Sequence, residues 1–194
     1  MGTASSVPAV FTASTLDAGE PKDGPVHSPY KQLPAARAAL ALQALLYGRA
    51  ATWRGPRAAS ARAAALTAMV DFDPATGPLA LNWAGAACPP AVGNASCESF
   101  AVLTSDCAWR SVEDAGSGAA LTASLASPNA LALTLQGGAA GLTIVAVRGF
   151  FANWPLVALR NAAGLPADPF LLNVTAHDCP WPHAAAWVDT GLHA

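Results

Sequence analysis

The strongest constraint on this chain is a change of period. Over residues 34–47 the sequence is built from Ala, Leu, Arg and Gln, all strong helix formers. Pro34 stands in the first turn, where its missing N–H is harmless, and Gly48 follows as a C-terminal cap. The spacing predicts a helix over 34–47. Leu40, Leu42, Leu45 and Leu46, with Ala36, Ala38, Ala39 and Ala44, leave so little polar surface that most of it should be buried. From residue 63 the period drops to two. Ala64, Leu66, Ala68, Val70 and Phe72 share one face, while Thr67 and Asp71 take the other. Further strands are expected over 79–83, 99–103, 109–112, 119–125, 130–135 and 142–147, with turns at 73–78, 124–130 and 136–138. Short strands about ten residues apart predict an antiparallel sandwich or barrel. Between the two regimes, residues 51–62 carry charge and the pair Gly55-Pro56, which breaks both periods and reads as a linker.

Composition narrows the function classes. Charged residues make up 11% of the 194, against about 25% in ordinary soluble domains. A net charge of −2 offers no basic face, so nucleic-acid binding has no electrostatic support. The hydrophobic fraction of 53% is spread out, with no apolar run near the roughly 20 residues of a membrane span, so no membrane association is expected. The length suffices for one domain, or for a fragment of one with a small second domain.

Cys88, Cys97, Cys107 and Cys179 all lie in the second half, without the C-x-x-C spacing of a zinc site. The even count leans toward disulfides, as do two glycosylation sequons, Asn94-Ala95-Ser96 and Asn173-Val174-Thr175. Together they point to a secreted or lysosomal protein, although four reduced thiols in a cytosolic one fit the same count. The N-terminus lacks a basic-then-apolar signal pattern, so a targeting segment is expected to be missing from this chain. Beyond Leu172 no motif is recognisable. His177, Cys179 and His183 are metal-ligating types, but Pro180 and Pro182 interrupt any regular geometry. No metal or other cofactor is expected. A Cys107–Cys179 disulfide tying the tail, residues 173–194, to the sheet is the better use of the cysteine.

The chemistry-bearing stretch is 15–32. Residues 10–16 form an apolar, β-branched run read as a short buried strand. A turn-rich segment with Asp23 and His27 follows, and then the helix. An Asp near a His can orient an imidazole that takes the proton from a serine nucleophile. By residue type alone, the same pair also fits ordinary solvated surface.

His27-Ser28-Pro29-Tyr30-Lys31-Gln32, running into an Arg37-bearing Ala/Leu helix that ends Tyr47-Gly48, closely resembles the last catalytic block of the sialate O-acetylesterase family of SGNH-type serine hydrolases. The family pattern is an apolar run with an acidic residue, Asp-x-His-Pro, Lys-Gln and an Arg-bearing helix. Here three residues separate Asp23 from His27, and Ser28 precedes Pro29. A second block is similar to the family's C-terminal signature: Val147-Arg148-Gly149-Phe150-Phe151, then Trp154-Pro155, Leu159-Arg160-Asn161 and Gly164-Leu165-Pro166-Ala167-Asp168-Pro169-Phe170. Gly149 and Arg160 replace the usual tyrosines. Ser99-Phe100-Ala101-Val102 to Trp109 resembles a family strand pair more loosely, and Gly55-Pro56 stands where the family passes into its β-rich domain.

The resemblance implies a mixed α/β and β chain. A remnant of the SGNH-type α/β hydrolase domain (strand, catalytic loop, helix) would span 1–50. A linker (51–62), an antiparallel β-sandwich-like C-terminal domain (63–172) and an irregular tail (173–194) would follow. It also implies an O-acetylated sugar such as sialic acid as substrate, with Asp23 and His27 as catalytic partners. Without the parallel sheet, the helix must find another cover or expose an apolar face. The family serine lies in a Gly-x-Ser-Asn-type block, yet no Gly-x-Ser tripeptide occurs here. The chain alone is therefore expected to be inactive. It reads either as part of an esterase completed by the rest of a catalytic domain, or as a non-catalytic truncated paralogue or β-sandwich accessory module with a carbohydrate or protein partner. By its own chemistry, Arg148 beside Phe150, Phe151 and Trp154 can stack on a ring, and Trp53 or Trp154 on a sugar or within the core.

Overall fold

Residues 11–19, 30–82, 97–112, 120–137, 139–152 and 155–179 are described by a computed structural model. They form one helix and ten strands. The helix α1 (Gln32–Tyr47) is followed by β1 (Ala58–Ala64), β2 (Thr67–Phe72), β3 (Leu79–Leu81), β4 (Phe100–Thr104) and β5 (Trp109–Ser111). Then come β6 (Ala120–Ser127), β7 (Ala130–Gln136), β8 (Ile144–Gly149), β9 (Leu159–Asn161) and β10 (Phe170–Asn173). Every pairing is antiparallel, in two four-stranded sheets ordered β1-β2-β7-β6 and β10-β8-β4-β5, plus a small β3-β9 sheet. The expected β-rich antiparallel architecture is thus present, with a single helix ahead of it.

Alternation builds the core. In β2, Ala68, Val70 and Phe72 turn inward while their neighbours do not. Leu131, Leu133 and Leu135 of β7 continue that face, and Phe100, Val102, Ile144, Val147 and Phe170 of the second sheet meet it in one cluster. Phe72 and Phe170 pack edge to face with centroids 5.7 Å apart, and Phe100 and Phe150 lie at 5.1 Å. Gly149, where the family carries a tyrosine, sits under the Phe170 ring: a Cβ there would lie 2.6 Å from its Cζ. The ring fills the space that a side chain at 149 would need.

Several expectations are corrected. The run 63–72 is not one strand but a hairpin, closed by a two-residue turn with Ala65 in the left-handed region (φ 52°). Alternation continues across such a turn, and no Gly, Asn or Asp marks it. β1 begins at Ala58, inside the stretch read as linker. Residues 11–16 form no strand and pair with none among the described residues. Phe11 packs edge-on against Trp53 instead, with centroids 6.3 Å apart. The helix has its expected end, with Gly48 left-handed (φ 62°) and the Arg49 N–H donating to the Gln43 carbonyl at 3.0 Å. Its expected burial is absent. Only Arg37 and Ala41 are buried, while Leu33, Leu42, Leu45, Leu46 and Tyr47 are exposed.

Cys107, in the turn after β4, is bonded to Cys179, with their Cα atoms 5.2 Å apart. The disulfide fastens the segment beyond β10 to the second sheet, as the sequence indicated. Cys97 is also disulfide-bonded. Among the described residues no helix is long and apolar enough to cross a membrane.

Candidate functional site

Asp23 and His27 lie outside the described residues; the structure does describe both chain segments that flank them. Residues 11–19 approach from one side, with the Ala18 N–H donating to the Thr15 carbonyl at 3.0 Å. Tyr30 and Lys31 lead into α1 on the other, where the Leu33 N–H reaches the Tyr30 carbonyl at 3.3 Å. Asp17 joins the two sides. Arg37 of α1 donates from Nη1 to Asp17 Oδ1 at 2.6 Å and from Nη2 to Oδ2 at 2.7 Å, a planar two-point contact. The same Nη1 donates to the Ser14 carbonyl at 2.6 Å. Arg160 of β9 donates to Asp17 Oδ2 at 2.7 Å and to the Gly164 carbonyl at 3.0 Å.

The electrostatics of this clamp follow from its composition. Burial alone would push the Asp17 carboxyl up. Hydrogen bonds and charge from Arg37 and Arg160 outweigh that and hold it below its ordinary value. The Asp17 and Arg37 side chains are only 11% and 6% exposed, so the charge is secured by its partners rather than by water. A carboxylate placed between two guanidiniums fixes direction as well as distance.

The β9 region locks onto the segment before β1. The Asn161 amide nitrogen donates to the Arg54 carbonyl at 2.9 Å and the Thr76 carbonyl at 2.8 Å. Its oxygen accepts from the N–H groups of Ala163 (3.1 Å) and Leu165 (3.0 Å), so both donors and both lone pairs are used. The Asp168 N–H donates to the Pro56 carbonyl at 2.9 Å. A Cβ on Gly55 would fall 2.7 Å from the Pro166 carbonyl carbon, so glycine lets the two backbones touch. Asp17 and the stretch Arg54–Pro56 therefore lie against β9 and the turn that follows it.

Arg148 stacks, though on a different ring from those beside it in sequence. Its guanidinium lies 4.1 Å from the Trp109 centroid and pairs with both Glu98 oxygens, at 2.7 and 2.6 Å. Trp53 carries Arg54 on its face at 4.1 Å as well as Phe11 on its edge. Asp17 and Arg160 escaped the reading of the sequence as site residues, and Arg37 was counted there as a helix former. The acidic residue in the apolar run of the family pattern is the one signal that pointed to Asp17.

The chain's likeness to known proteins lies in its fold. No protein-family model matches it, and no curated protein is significantly similar. Among solved structures it is similar to that of XAC1771, a novel carbohydrate acetylesterase from Xanthomonas citri, with a TM-score of 0.56 and 21% identity. The match covers 75% of this chain and 28% of that one, so the chain spans little more than a quarter of its neighbour's length.

Proposed function

We propose that this chain is the C-terminal portion of a carbohydrate acetylesterase of the sialate O-acetylesterase type. It would contribute the histidine base and its aspartate, while the serine comes from outside these residues. The observation that carries the reading is a combination: an Asp23…His27 segment entering an Arg37-bearing helix, joined through Asp17 to a β-domain similar in fold to part of a carbohydrate acetylesterase. The uncovered leucines of α1 support it. An apolar helix face belongs against another element, and the face formed by Leu42, Leu45 and Leu46 is where a catalytic sheet would pack.

In this mechanism the serine hydroxyl attacks the acetyl carbonyl of an O-acetylated sugar. His27 accepts the hydroxyl proton and returns it to the departing sugar oxygen, and Asp23 stabilises the imidazolium that forms between the two events. His27 then takes a proton from water, the resulting hydroxide attacks the acetyl-serine, and acetate leaves as the proton returns to the serine oxygen. In this reading residues 1–50 would close the catalytic domain, and a connector shortened to the residues before Ala58 would lead into the β-domain, which runs from β1 to β10 ahead of the tail. A secretory or lysosomal setting suits the Cys107–Cys179 bond, because such cross-links persist in oxidising compartments.

A second reading, a non-catalytic paralogue or accessory module, is favoured by one observation: no Gly-x-Ser tripeptide is present. Hydrolysis of an aryl acetate separates the two. The natural gene product containing this chain should turn over, and His27→Ala should lower kcat by roughly 10⁶-fold. The 194-residue chain alone should show nothing above that variant. A natural product with no esterase activity, or one indifferent to His27→Ala, would leave the accessory module as the function. Turnover by the isolated chain that is lost in His27→Ala would mean that it holds its own nucleophile.

A further inference from the structure

We propose that Asn173 is an N-glycosylation site, carrying an oligosaccharide on the outer face of β10; the inference stands apart from the esterase reading. Asn173-Val174-Thr175 is an acceptor sequon whose middle residue is not proline. Strand alternation sets its two chemical groups on one side: Leu172 and Val174 pack against the core, whereas Asn173 and Thr175 are exposed. The backbone is held without either side chain. The Val174 and Thr175 N–H groups both donate to the Val145 carbonyl, at 2.9 and 3.3 Å. β10 stands at the end of its sheet, with β8 its one hydrogen-bonded neighbour among the described strands. A bulky group on its outer face therefore has no second strand to clear.

Two asparagines show the contrast. Asn161, 2% exposed, spends both donors and both lone pairs inside the fold, and no Ser or Thr stands two residues after it. Asn173 makes one side-chain hydrogen bond among the described residues, its Oδ1 accepting from His177 Nε2 at 3.3 Å. Nothing among those residues accepts from its amide nitrogen, the atom that the modification uses. In that step the nitrogen bonds to the anomeric carbon of an oligosaccharide carried on a lipid diphosphate. The bond from that carbon to the diphosphate oxygen breaks, the lipid diphosphate leaves with the electron pair, and the nitrogen gives up one of its two protons. The Thr175 hydroxyl is the second group that the transferring enzyme reads. Donor and enzyme belong to the secretory pathway, where cross-links such as Cys107–Cys179 also persist.

The test uses the natural gene product, expressed in a eukaryotic cell from its own start codon and treated with peptide N-glycosidase, which removes the sugar and leaves Asp in place of Asn. The other sequon, Asn94-Ala95-Ser96, lies outside the described residues, so Asn94→Gln is the background for every variant. In that background the enzyme should lower the mass by one oligosaccharide, and peptide mapping should then read Asp at position 173. Asn173→Gln and Thr175→Ala should each abolish the shift, and Thr175→Ser should keep it, since a hydroxyl remains. If the Asn94→Gln protein does not fold, mapping of the wild type carries the test, because Arg110, Arg148 and Arg160 put the two sequons on different tryptic peptides. Asn still present at position 173 after treatment overturns the inference, as does a shift that survives Thr175→Ala.

Discussion

Replacing Cys107 and Cys179 together by alanine should destabilise the fold by about 4 kcal/mol. The bond spans a sequence separation of 72. Cross-linking a loop of that size removes close to 15 cal/mol/K of chain entropy from the unfolded state, or about 4 kcal/mol at 25 °C. The native state should change little, because both bonded ends are held against the second sheet by other contacts. Cys107 lies in the turn joining β4 to β5, with its N–H donating to the Thr104 carbonyl at 2.8 Å. Cys179 packs beside Leu103, Val145 and Ala146, and β10 is tied to β4 through β8. The assay is urea unfolding of the oxidised protein and of the double alanine variant. The effect is large against the 5–15 kcal/mol of an ordinary domain. The variant's unfolded chain should also be less compact and give a higher m-value. A difference below about 1 kcal/mol would refute the reasoning, since the constraint would then not act on the unfolded chain.

Two further variants probe the charges of the sandwich and its junction. Glu98→Gln leaves Arg148 largely buried with its countercharge gone and one of two accepting oxygens lost, and should cost about 2–3 kcal/mol in urea unfolding; an effect near zero would mean that Trp109 alone holds the guanidinium. Burial raises the Asp168 carboxyl against the opposing pull of Arg57 and Arg54, so the folded protein binds that proton more tightly than the unfolded one. Stability is therefore lost as pH rises above the ordinary carboxylate value of about 4. Asp168→Asn should melt above wild type at pH 7 and equal to it below about pH 4, and a lower melting point at pH 7 would show that the two arginines dominate.

What could be read from the sequence, and what could not, divides by the range of the interaction. β2 and β7 were legible because burial on one face of a strand leaves apolar residues two apart, and β4 and β8 because strands buried on both faces read as short continuous apolar runs. β1 was not: Ala58–Ala64 is small residues around one arginine at a sheet edge, with no large side chain to set a period. β9 and β10, of three and four residues, are too short to show one. The Cys107–Cys179 pairing was legible because few cysteines leave few choices. The clamp was hidden for the opposite reason. Asp17, Arg37 and Arg160 are each unremarkable in their local sequence, and only the folded chain brings together positions 20 and 143 residues apart.

The helix joins these two cases. Its ends are local and were read correctly; its burial is a property of what covers it. Ala41 and the charged Arg37 are its buried residues, whereas Leu45 and Leu46 are 42% and 62% exposed. Sixteen residues that spend their interior face on an arginine, and turn their leucines to water, reverse the ordinary amphipathic order. The ion pair explains the inward face, because Arg37 must reach Asp17. Among the described residues nothing covers the outward face of Leu42, Leu45 and Leu46, and under the proposed esterase reading a catalytic sheet would pack there.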